Sequence, residues 1–451
     1  MSLLTNDTNE RVGISSRLER LPNSSYIFGM CTVLLTGIML TIFVNNGFNF
    51  LIPDMAKTWN LDKAATGNLA SLAFIGMFFG ALFGGIIADR IGRKPIIVIA
   101  NLTWGTAAFV MSFATTYDLV QVCRFFVGVG LGAQLPTTAV MISEMVPSRL
   151  RARYLVANLT VLPIGVFIVG MITYWLLPVG GWTSVVLLSG IVGLWGLVTW
   201  RFVPESALWL ESRGRLADAD QAMDKYEAEV QKRYGQPLPP VEYKPVIVSQ
   251  DQGSSSPLAI FTKPYLGLVA LMTIYLLLQM MGYYGISMWL TALLTLKGFT
   301  VTKSILYVSL ITLGGVPSFF LVGYLADKIG RKMTLVLMAV LTAVGAFFYG
   351  QAMTIYMVIV TGLLFMFVQF GYNSASMVFT TEIWPTKVRA SGKGYTQSCG
   401  RVGAALGPMV IGYILAAGYG DNVVFAFAVA INLLAAVLIY LFAPETKGKV
   451  F

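Results

Sequence analysis

The segment Gly84–Pro95 reads GGIIADRIGRKP, and a shorter version, GYLADKIGRK, returns at Gly323–Lys332. The aspartate of the second copy lies 238 residues after that of the first. A second pair of segments, SEMVPSRLRA at 143–152 and TEIWPTKVRA at 381–390, shows the same separation of 238 residues. Two unrelated motifs in one register indicate that the chain is an internal duplication.

Both copies of the first motif lie where a run of apolar residues ends. Glycine and alanine allow two helices to approach closely, and the Asp, Arg and Lys side chains that follow then emerge at a membrane surface. The motif therefore predicts a tight turn between two membrane-spanning helices. The alternative is an ordinary loop whose basic residues only fix orientation, but repetition at a constant separation favours a functional turn.

The composition is that of an integral membrane protein. Apolar residues make up 56% of the 451-residue chain and charged residues only 12%, whereas about 25% of residues in soluble domains are charged. The chain has no histidine, and Cys31, Cys123 and Cys399 all lie inside apolar runs. Histidine-based catalysis and proton relays are therefore excluded, no disulfide framework or metal site is indicated, and we expect no cofactor.

Apolar runs of about 20 residues, the length that crosses a bilayer as a helix, occur twelve times, six on each side of a polar segment. The runs are 27–52, 64–88, 95–113, 119–143, 154–177, 182–203, 264–295, 301–326, 333–351, 354–380, 391–417 and 421–443. They predict an all-α membrane protein of twelve transmembrane helices in two six-helix halves. The predicted division is 1–26 as a cytoplasmic tail, 27–203 as the N-terminal half, 204–262 as cytoplasmic amphipathic helices and a linker, 263–443 as the C-terminal half and 444–451 as a cytoplasmic C-terminus.

The basic residues predict the orientation. Of the 31 Lys and Arg residues, 25 lie in the tail, at the C-terminus, or in the loops after even-numbered runs and the adjoining ends of the runs, and Lys57, Lys63, Lys297 and Lys303 lie on the other side. Loops rich in Lys and Arg stay in the cytoplasm, so both termini are predicted to be cytoplasmic. The net charge of +10 thus reflects orientation rather than nucleic-acid binding, and the short outer loops favour a bacterial inner membrane.

Three further motifs carry a resemblance to a known family. They are RFFVGVGLG from Arg124, PESALWL from Pro204 and PETKG from Pro444. Together with the repeated turn motifs, they make nearly the whole chain similar to the major facilitator superfamily, whose two halves pack around a central substrate cavity and rock about it. The resemblance implies a secondary transporter that works by alternating access, and we expect a monomer.

The seventh apolar run narrows the resemblance to one branch. It reads QMMGYYGISMWL from Gln279, whereas sugar porters usually carry a paired Gln and a nearby Asn in this helix. This pattern, together with GRVG from Gly400, is similar to the niacin permeases and the synaptic-vesicle-two-related proteins. The resemblance therefore implies an organic-ion transporter of a branch close to the sugar porters.

The chain departs from that branch at three acidic positions. Relatives usually show Asp-Gly-Phe-Asp in the first helix and a carboxylate early in the fourth, but this chain has Asn46, Asn49 and Gln134 at those places. Carboxylates that would carry protons in relatives are therefore missing, which favours a facilitator or exchanger. Asp54, at the outer end of the first run, is the remaining candidate for proton coupling.

Arg124 and Arg401 are predicted to lie inside the membrane, where a charge costs at least about 2.5 kcal/mol on insertion scales. Arg401 lies near the midplane, where transporters bind their substrates, and its guanidinium matches a carboxylate. We interpret Arg401 as a substrate contact; the alternative is a structural Arg bound to carbonyl or Gln groups. Arg124, near the outer end of a Gly-rich run, is interpreted as a packing and gating residue.

Polar and aromatic residues of several predicted helices complete the candidate cavity. Each aromatic residue taken alone is more often a packing residue. Besides Arg401, the candidate substrate-binding residues are Tyr283, Tyr284, Gln279, Trp289, Gln369, Tyr372, Asn373, Asn46, Asn49 and Gln134. Charged residues of the repeated motifs predict gates at the cytoplasmic face, because pairs between them would close the cavity in one state and break in the other; inert surface pairs are the alternative. The gating candidates are Asp89, Arg93, Glu144, Arg151, Asp327, Arg331, Glu382, Arg389 and Arg124.

These observations predict a carrier for a small organic anion, namely an aromatic or heteroaromatic carboxylate such as nicotinate, because Arg401 has no acidic partner inside the membrane. A sugar, polyol or other organic-ion facilitator and a proton-coupled symporter are the alternatives within the same class. A membrane receptor that binds without translocation is the alternative from another class, and the two gate motifs disfavour it. An enzyme is disfavoured because no nucleophile–base pair or phosphate-binding loop is present.

Overall fold

The computed structural model of the chain describes residues 12–241, 257–385 and 388–448. Within these residues the chain forms sixteen α-helices and one short 3-10 turn at Pro257–Phe261. The helices are α1 (Ile14–Glu19), α2 (Ser25–Thr58), α3 (Lys63–Ile91), α4 (Arg93–Met111), α5 (Tyr117–Met145), α6 (Ser148–Val192), α7 (Trp195–Phe202), α8 (Ala207–Ser212), α9 (Leu216–Tyr234), α10 (Lys263–Leu296), α11 (Val301–Thr312), α12 (Gly315–Ile329), α13 (Arg331–Gly350), α14 (Ile355–Glu382), α15 (Arg389–Ala416) and α16 (Asp421–Phe442).

The helices give twelve membrane crossings in the described part of the chain. Eleven helical stretches are long and apolar enough to cross a membrane, and one of them, Val161–Phe202, has 42 residues. At roughly 1.5 Å per residue this stretch is about 63 Å long, twice the roughly 30 Å of a bilayer core. Gly181, at φ 63°, interrupts the helix near its middle, so the stretch crosses twice. Six crossings on each side of α8 and α9 confirm the predicted architecture.

The two faces of the protein can be told apart by the repeated turn motif. We call the face that carries the α3–α4 turn and the α12–α13 turn the basic face, and the other face the distal face. The short helices α1, α8 and α9 also lie at the basic face. The amphipathic helices predicted after residue 204 are α8 and α9, and the predicted tail contains α1 and the start of α2. Residues 242–256 of the predicted linker lie outside the described residues.

An apolar cluster joins α1, α8 and α9 to the N-terminal half. Leu18 of α1, Trp209 of α8 and Tyr226 of α9 are buried in it together with residues of α2, α4 and α5. The hydroxyl of Tyr226 also donates to the backbone carbonyl of Met145 at 2.8 Å, at the end of α5. The three short helices are therefore part of the N-terminal half rather than a bridge between halves.

Charged groups strengthen this attachment. Glu227 of α9 pairs with Arg17 of α1 at 2.7 Å and with Arg20 at 2.7 Å. Glu19 accepts hydrogen bonds from the backbone N–H of Ser148 at 3.0 Å and from its hydroxyl at 2.8 Å. A carboxylate at the first turn of a helix is favourable, because the backbone N–H groups there have no partner within the helix. The segment α1 therefore connects α9 to the start of α6.

Candidate functional site

The two halves meet closely near the distal face. A side chain at Gly67 of α3 would lie 2.6 Å from the carbonyl oxygen of Pro408 and 3.1 Å from the Cα of Gly412, both in α15. One turn deeper, the hydroxyl of Ser71 donates to the carbonyl of Ala405 at 2.6 Å. Backbones that approach this closely leave no path between the halves, so α3 and α15 form a seal on the distal side.

The apolar cores show which side is open. One cluster contains residues of both halves, including Phe50 and Leu51 from the distal part of α2 and Leu293 from the distal part of α10. Toward the basic face, by contrast, the N-terminal half has its own cluster and the C-terminal half another. The halves thus share a core near the distal face and have separate cores near the basic face, so the cavity between them opens toward the basic face.

Arg401 lies at the inner end of the distal seal. It is one turn of α15 closer to the basic face than Ala405, and it is partly exposed. Its Nη1 lies 3.9 Å from the thioether sulfur of Met77 in the opposite half, which is a weak acceptor. Among the described residues we find no carboxylate paired with Arg401. The guanidinium is therefore available to an anion that enters from the basic face.

Aromatic rings surround the same depth of the cavity. The rings of Phe74 in α3 and Tyr284 in α10 lie 4.5 Å apart across the two halves, and Phe74 is three residues from Met77. Tyr283 packs edge-on against Tyr284 at 4.7 Å and against Phe370 of α14 at 6.3 Å. Tyr283 and Tyr284 are both partly exposed. A flat apolar ligand can therefore lie against the partly exposed rings of Tyr283 and Tyr284 while a charged end reaches Arg401.

The other candidates of the C-terminal half fall into two groups. The side-chain amide of Gln279 donates from Nε2 to Oδ1 of Asn373 at 3.4 Å. Gln369 is buried one turn before Asn373. Trp289 and Tyr372 belong to neither this amide pair nor the aromatic group around Tyr284. Trp289 donates to the carbonyl of Pro408 at 3.0 Å and belongs to the distal seal, and Tyr372 is buried in the separate core of the C-terminal half.

The candidates of the N-terminal half are spread along its helices. Asn46 is partly exposed and donates to the carbonyl of Ile42 at 3.2 Å. Asn49 is buried, and its Oδ1 has no hydrogen-bond partner among the described residues. Gln134 is buried inside the half and accepts from the indole N–H of Trp104 at 2.7 Å. The structure therefore separates Gln134 from Arg401, although both were candidates for the same cavity.

Arg124 is completely buried. Its Nη2 lies 3.4 Å from Oδ1 of Asn45, and its guanidinium stacks 3.9 Å above the ring of Phe48. Its Nε and Nη1 have no hydrogen-bond partner in the described chain. Asp54, the coupling candidate, lies two turns further along α2 from Asn46 and is partly exposed. Arg124 is thus a buried guanidinium held by an amide and a ring, with no carboxylate partner among the described residues.

The gating candidates form two matched groups at the basic face. In the N-terminal half, Arg93 pairs with Asp89 at 2.7 Å and with Glu144 at 3.3 Å. In the C-terminal half, Arg331 pairs with Asp327 at 3.1 Å and with Glu382 at 3.2 Å. Each of these four pairs joins residues of one half. Arg389 donates to the carbonyl of Trp384 at 3.2 Å, and Nε of Arg151 is buried without a described partner.

Each group contains a further carboxylate that the sequence reasoning did not select. Glu205 accepts from the backbone N–H of Arg93 at 3.1 Å, and Glu445 accepts from the backbone N–H of Arg331 at 2.9 Å. Burial raises the pKa of Glu205 although backbone donors oppose this effect. For Glu445 burial also acts to raise the pKa, but four backbone N–H donors outweigh it and leave the pKa lowered. The glutamates of the PESALWL and PETKG motifs thus cap the N-terminal ends of α4 and α13.

Substitution of Gly330 tests the cap in the C-terminal half. Gly330 has φ 95°, and a Cβ there would lie 2.5 Å from Oε2 of Glu445. We expect Gly330→Ala to destabilise the protein by about 1–3 kcal/mol from backbone strain alone, with further loss from displacement of Glu445. Thermal unfolding of the purified protein measures this effect. Gly323→Ala, where a Cβ meets no atom within 4 Å, is the matched control, and equal stability of the two variants would contradict the expectation.

Comparisons with known proteins agree with this geometry. The family model described as Major Facilitator Superfamily matches residues 34–408 and 313–451. The chain is 31% identical over 439 residues to the niacin transporter NiaP of Acinetobacter baylyi, covering 96% of this chain and 98% of that protein. It is 29% identical over 415 residues to the 4-hydroxybenzoate transporter PcaK of Pseudomonas putida, covering 90% of each.

The fold is also similar to that of solved transporters. A structure of the inward open conformation of the xylose transporter XylE from E. coli superposes with a TM-score of 0.72 at 19% identity, covering 94% of this chain and 98% of that one. At this identity the similarity concerns the fold alone. The predicted resemblance to the niacin-permease branch is confirmed, the chain is not an enzyme, and it belongs to the Major Facilitator Superfamily of membrane transporters.

Proposed function

We propose that this transporter carries a small aromatic or heteroaromatic carboxylate such as nicotinate. The observation that carries the proposal is the partly exposed guanidinium of Arg401, which lies at the inner end of the distal seal beside Phe74 and Tyr284 with no paired carboxylate among the described residues. A carboxylate binds such a fork with two parallel hydrogen bonds. The substrates for which the two relatives above are named, niacin and 4-hydroxybenzoate, belong to this chemical class.

The proposed site excludes some of the candidate residues. It contains Arg401 of α15 and Tyr283 and Tyr284 of α10. The amide pair is nearby: Gln279 lies one turn before Tyr283 in α10, and its partner Asn373 lies in α14. A pyridine nitrogen or a phenol hydroxyl needs a hydrogen-bonding group at the far end of the ring, and an amide provides both a donor and an acceptor. We leave Gln134 and Tyr372 out of the site, because Gln134 is bonded to Trp104 inside the N-terminal half and Tyr372 belongs to the separate core of the C-terminal half.

We propose that the basic face is cytoplasmic and that the protein lies in a bacterial inner membrane as a monomer. The distribution of Lys and Arg supports this orientation. In this orientation the described state is open to the cytoplasm and closed to the outside. The paired charges at the basic face then act as gates whose partners change when the cavity opens outward.

We also propose that the protein works without a proton-carrying side chain in the cavity. The chain has no histidine, and amides stand at Asn46, Asn49 and Gln134. A facilitator or an exchanger requires no such group, and a substrate that carries its own proton requires none on the protein. Asp54, partly exposed near the distal end of α2, is the carboxylate we propose to test if substrate-driven proton movement is observed.

The experiment that tests the proposed substrate class compares ligands of one shape and different charge. Nicotinate, nicotinamide and 3-pyridinemethanol are added to the purified protein, with xylose as the sugar control, and thermal unfolding is followed. A ligand at about 100 times its Kd stabilises a folded protein by about 2.7 kcal/mol. We expect this stabilisation for nicotinate and uptake of nicotinate into proteoliposomes. Equal stabilisation by nicotinamide, or stabilisation by xylose alone, would contradict the proposal.

A further inference from the structure

A second space between the halves lies at the distal face, outside the seal. It has a volume of about 520 Å³, within the roughly 300–1,000 Å³ that is usual for small-molecule sites. The N-terminal half contributes lining residues from α2, α3 and the loop between them, and the C-terminal half contributes lining residues from α10, α11 and their loop. We call this space the distal groove. Both halves are needed to form it.

The charge of the distal groove is positive. Lys57 and Lys63 line it, and none of its lining residues is acidic. Both lysines are exposed, and in the described part of the chain neither has an ion-pair partner. Lys297, on the same face, is different: it pairs with Asp421 at 3.5 Å and is mostly buried. Asp62 lies between the two groove lysines in the sequence. Its carboxylate accepts a hydrogen bond from the backbone N–H of Ala65 at 2.6 Å and caps the start of α3.

The rest of the lining suits a flat ring. Phe299 lines the groove and is partly exposed, whereas Trp289 is only 2% exposed and its indole N–H is bonded to the carbonyl of Pro408. Thr66 and Asn60 add polar groups on the N-terminal side. Asn60 has φ 54°, the left-handed conformation with which asparagine or glycine commonly ends a helix, here α2.

We infer that the distal groove is a second binding site for an aromatic carboxylate, separate from the site at Arg401. The two ammonium groups attract the carboxylate, and the partly exposed Phe299 packs against the ring. Because the groove is made by both halves while they are closed on this side, a ligand bound in it favours the described conformation over one that is open to the distal face. Binding of a ligand in the distal groove therefore shifts the equilibrium between the two orientations of the halves.

Equilibrium binding of radiolabelled nicotinate to the purified full-length protein at low ionic strength tests the inference. The wild type is expected to bind two molecules, and Arg401→Ala is expected to keep one weaker site. Adding Lys57→Gln and Lys63→Gln to Arg401→Ala should weaken that remaining site by about tenfold, since each exposed charge contributes up to about 1 kcal/mol. High salt should weaken it similarly because the lysines are exposed.

Lys303→Gln on the Arg401→Ala background is the matched control, because Lys303 is exposed on the same face and does not line the groove. This control should leave the remaining site unchanged. Complete loss of binding in Arg401→Ala, or residual binding that is insensitive to the lysine substitutions, would overturn the second site. If Arg401→Ala still bound two molecules, the central site would be wrong instead, so the two failures are distinguishable.

Discussion

Replacing Arg401 by alanine is expected to abolish transport and to weaken nicotinate binding at the central site by at least about 25-fold. Truncating one partner of a desolvated charge pair costs roughly 2–5 kcal/mol, and each 1.4 kcal/mol is about a factor of ten in affinity. The guanidinium has the Met77 thioether, rather than a carboxylate, as its described polar contact. Its removal should therefore cost little folding stability.

Two measurements make the result specific. Thermal unfolding without ligand should show a folded Arg401→Ala protein, and ligand titration should show the lost affinity. Arg401→Lys keeps the charge but loses the planar fork, so we expect it to recover only part of the affinity. Wild-type affinity in a well-folded Arg401→Ala protein would remove Arg401 from the site and favour a sugar or polyol as the substrate.

Replacing Arg124 by methionine is expected to stabilise the folded protein by about 1–4 kcal/mol while reducing the transport rate. A buried charge without a good partner is costly, and a hydrophobic residue of similar volume often removes that cost. Arg124 is fully buried with Nε and Nη1 lacking described partners. We expect the rate to fall because Arg124 is interpreted as a gating residue, and the contacts of a gating residue change between the two states of a transporter.

Asn45→Asp provides the second test of Arg124. The amide oxygen of Asn45 lies 3.4 Å from Nη2 of Arg124, so a carboxylate at this position would give the guanidinium a charged partner. This variant should also unfold at a higher temperature than the wild type, whereas in the Arg124→Met background Asn45→Asp should lower the unfolding temperature, because the buried carboxylate would then lack its cationic partner. A lower unfolding temperature for Arg124→Met would show that the guanidinium is well satisfied in the folded protein.

The repeated turn motifs allowed the architecture to be predicted because they mark the same turn in both halves. The separation of 238 residues placed Asp89 with Asp327 and Arg93 with Arg331, and the structure shows the same local pairs in each half. The roles of Glu205 and Glu445 were not predicted. Their motifs were noticed, but a carboxylate that caps a helix more than 100 residues away leaves no periodic pattern in the sequence.

The central site was predictable in part. Arg401 is recognisable because a charge inside an apolar run is rare, and its depth follows from its position along the run. Which polar residues face it is a matter of helix rotation, and a one-residue difference turns a side chain by about 100° at 3.6 residues per turn. Gln134 and Tyr372 were therefore selected with Arg401, although the structure buries each inside one half.

The attachment of α1 to α9 has a practical consequence for following the motion of the protein. Glu19 and Arg17 fix α1 to Ser148 and Glu227, so a fluorophore placed at Gly13 would move with the N-terminal half. Glu445 fixes the opposite end of the chain to the C-terminal half through the N–H groups of α13. Energy transfer between labels at these two ends would therefore report, molecule by molecule and without any label in the membrane, how far the halves separate during a transport cycle.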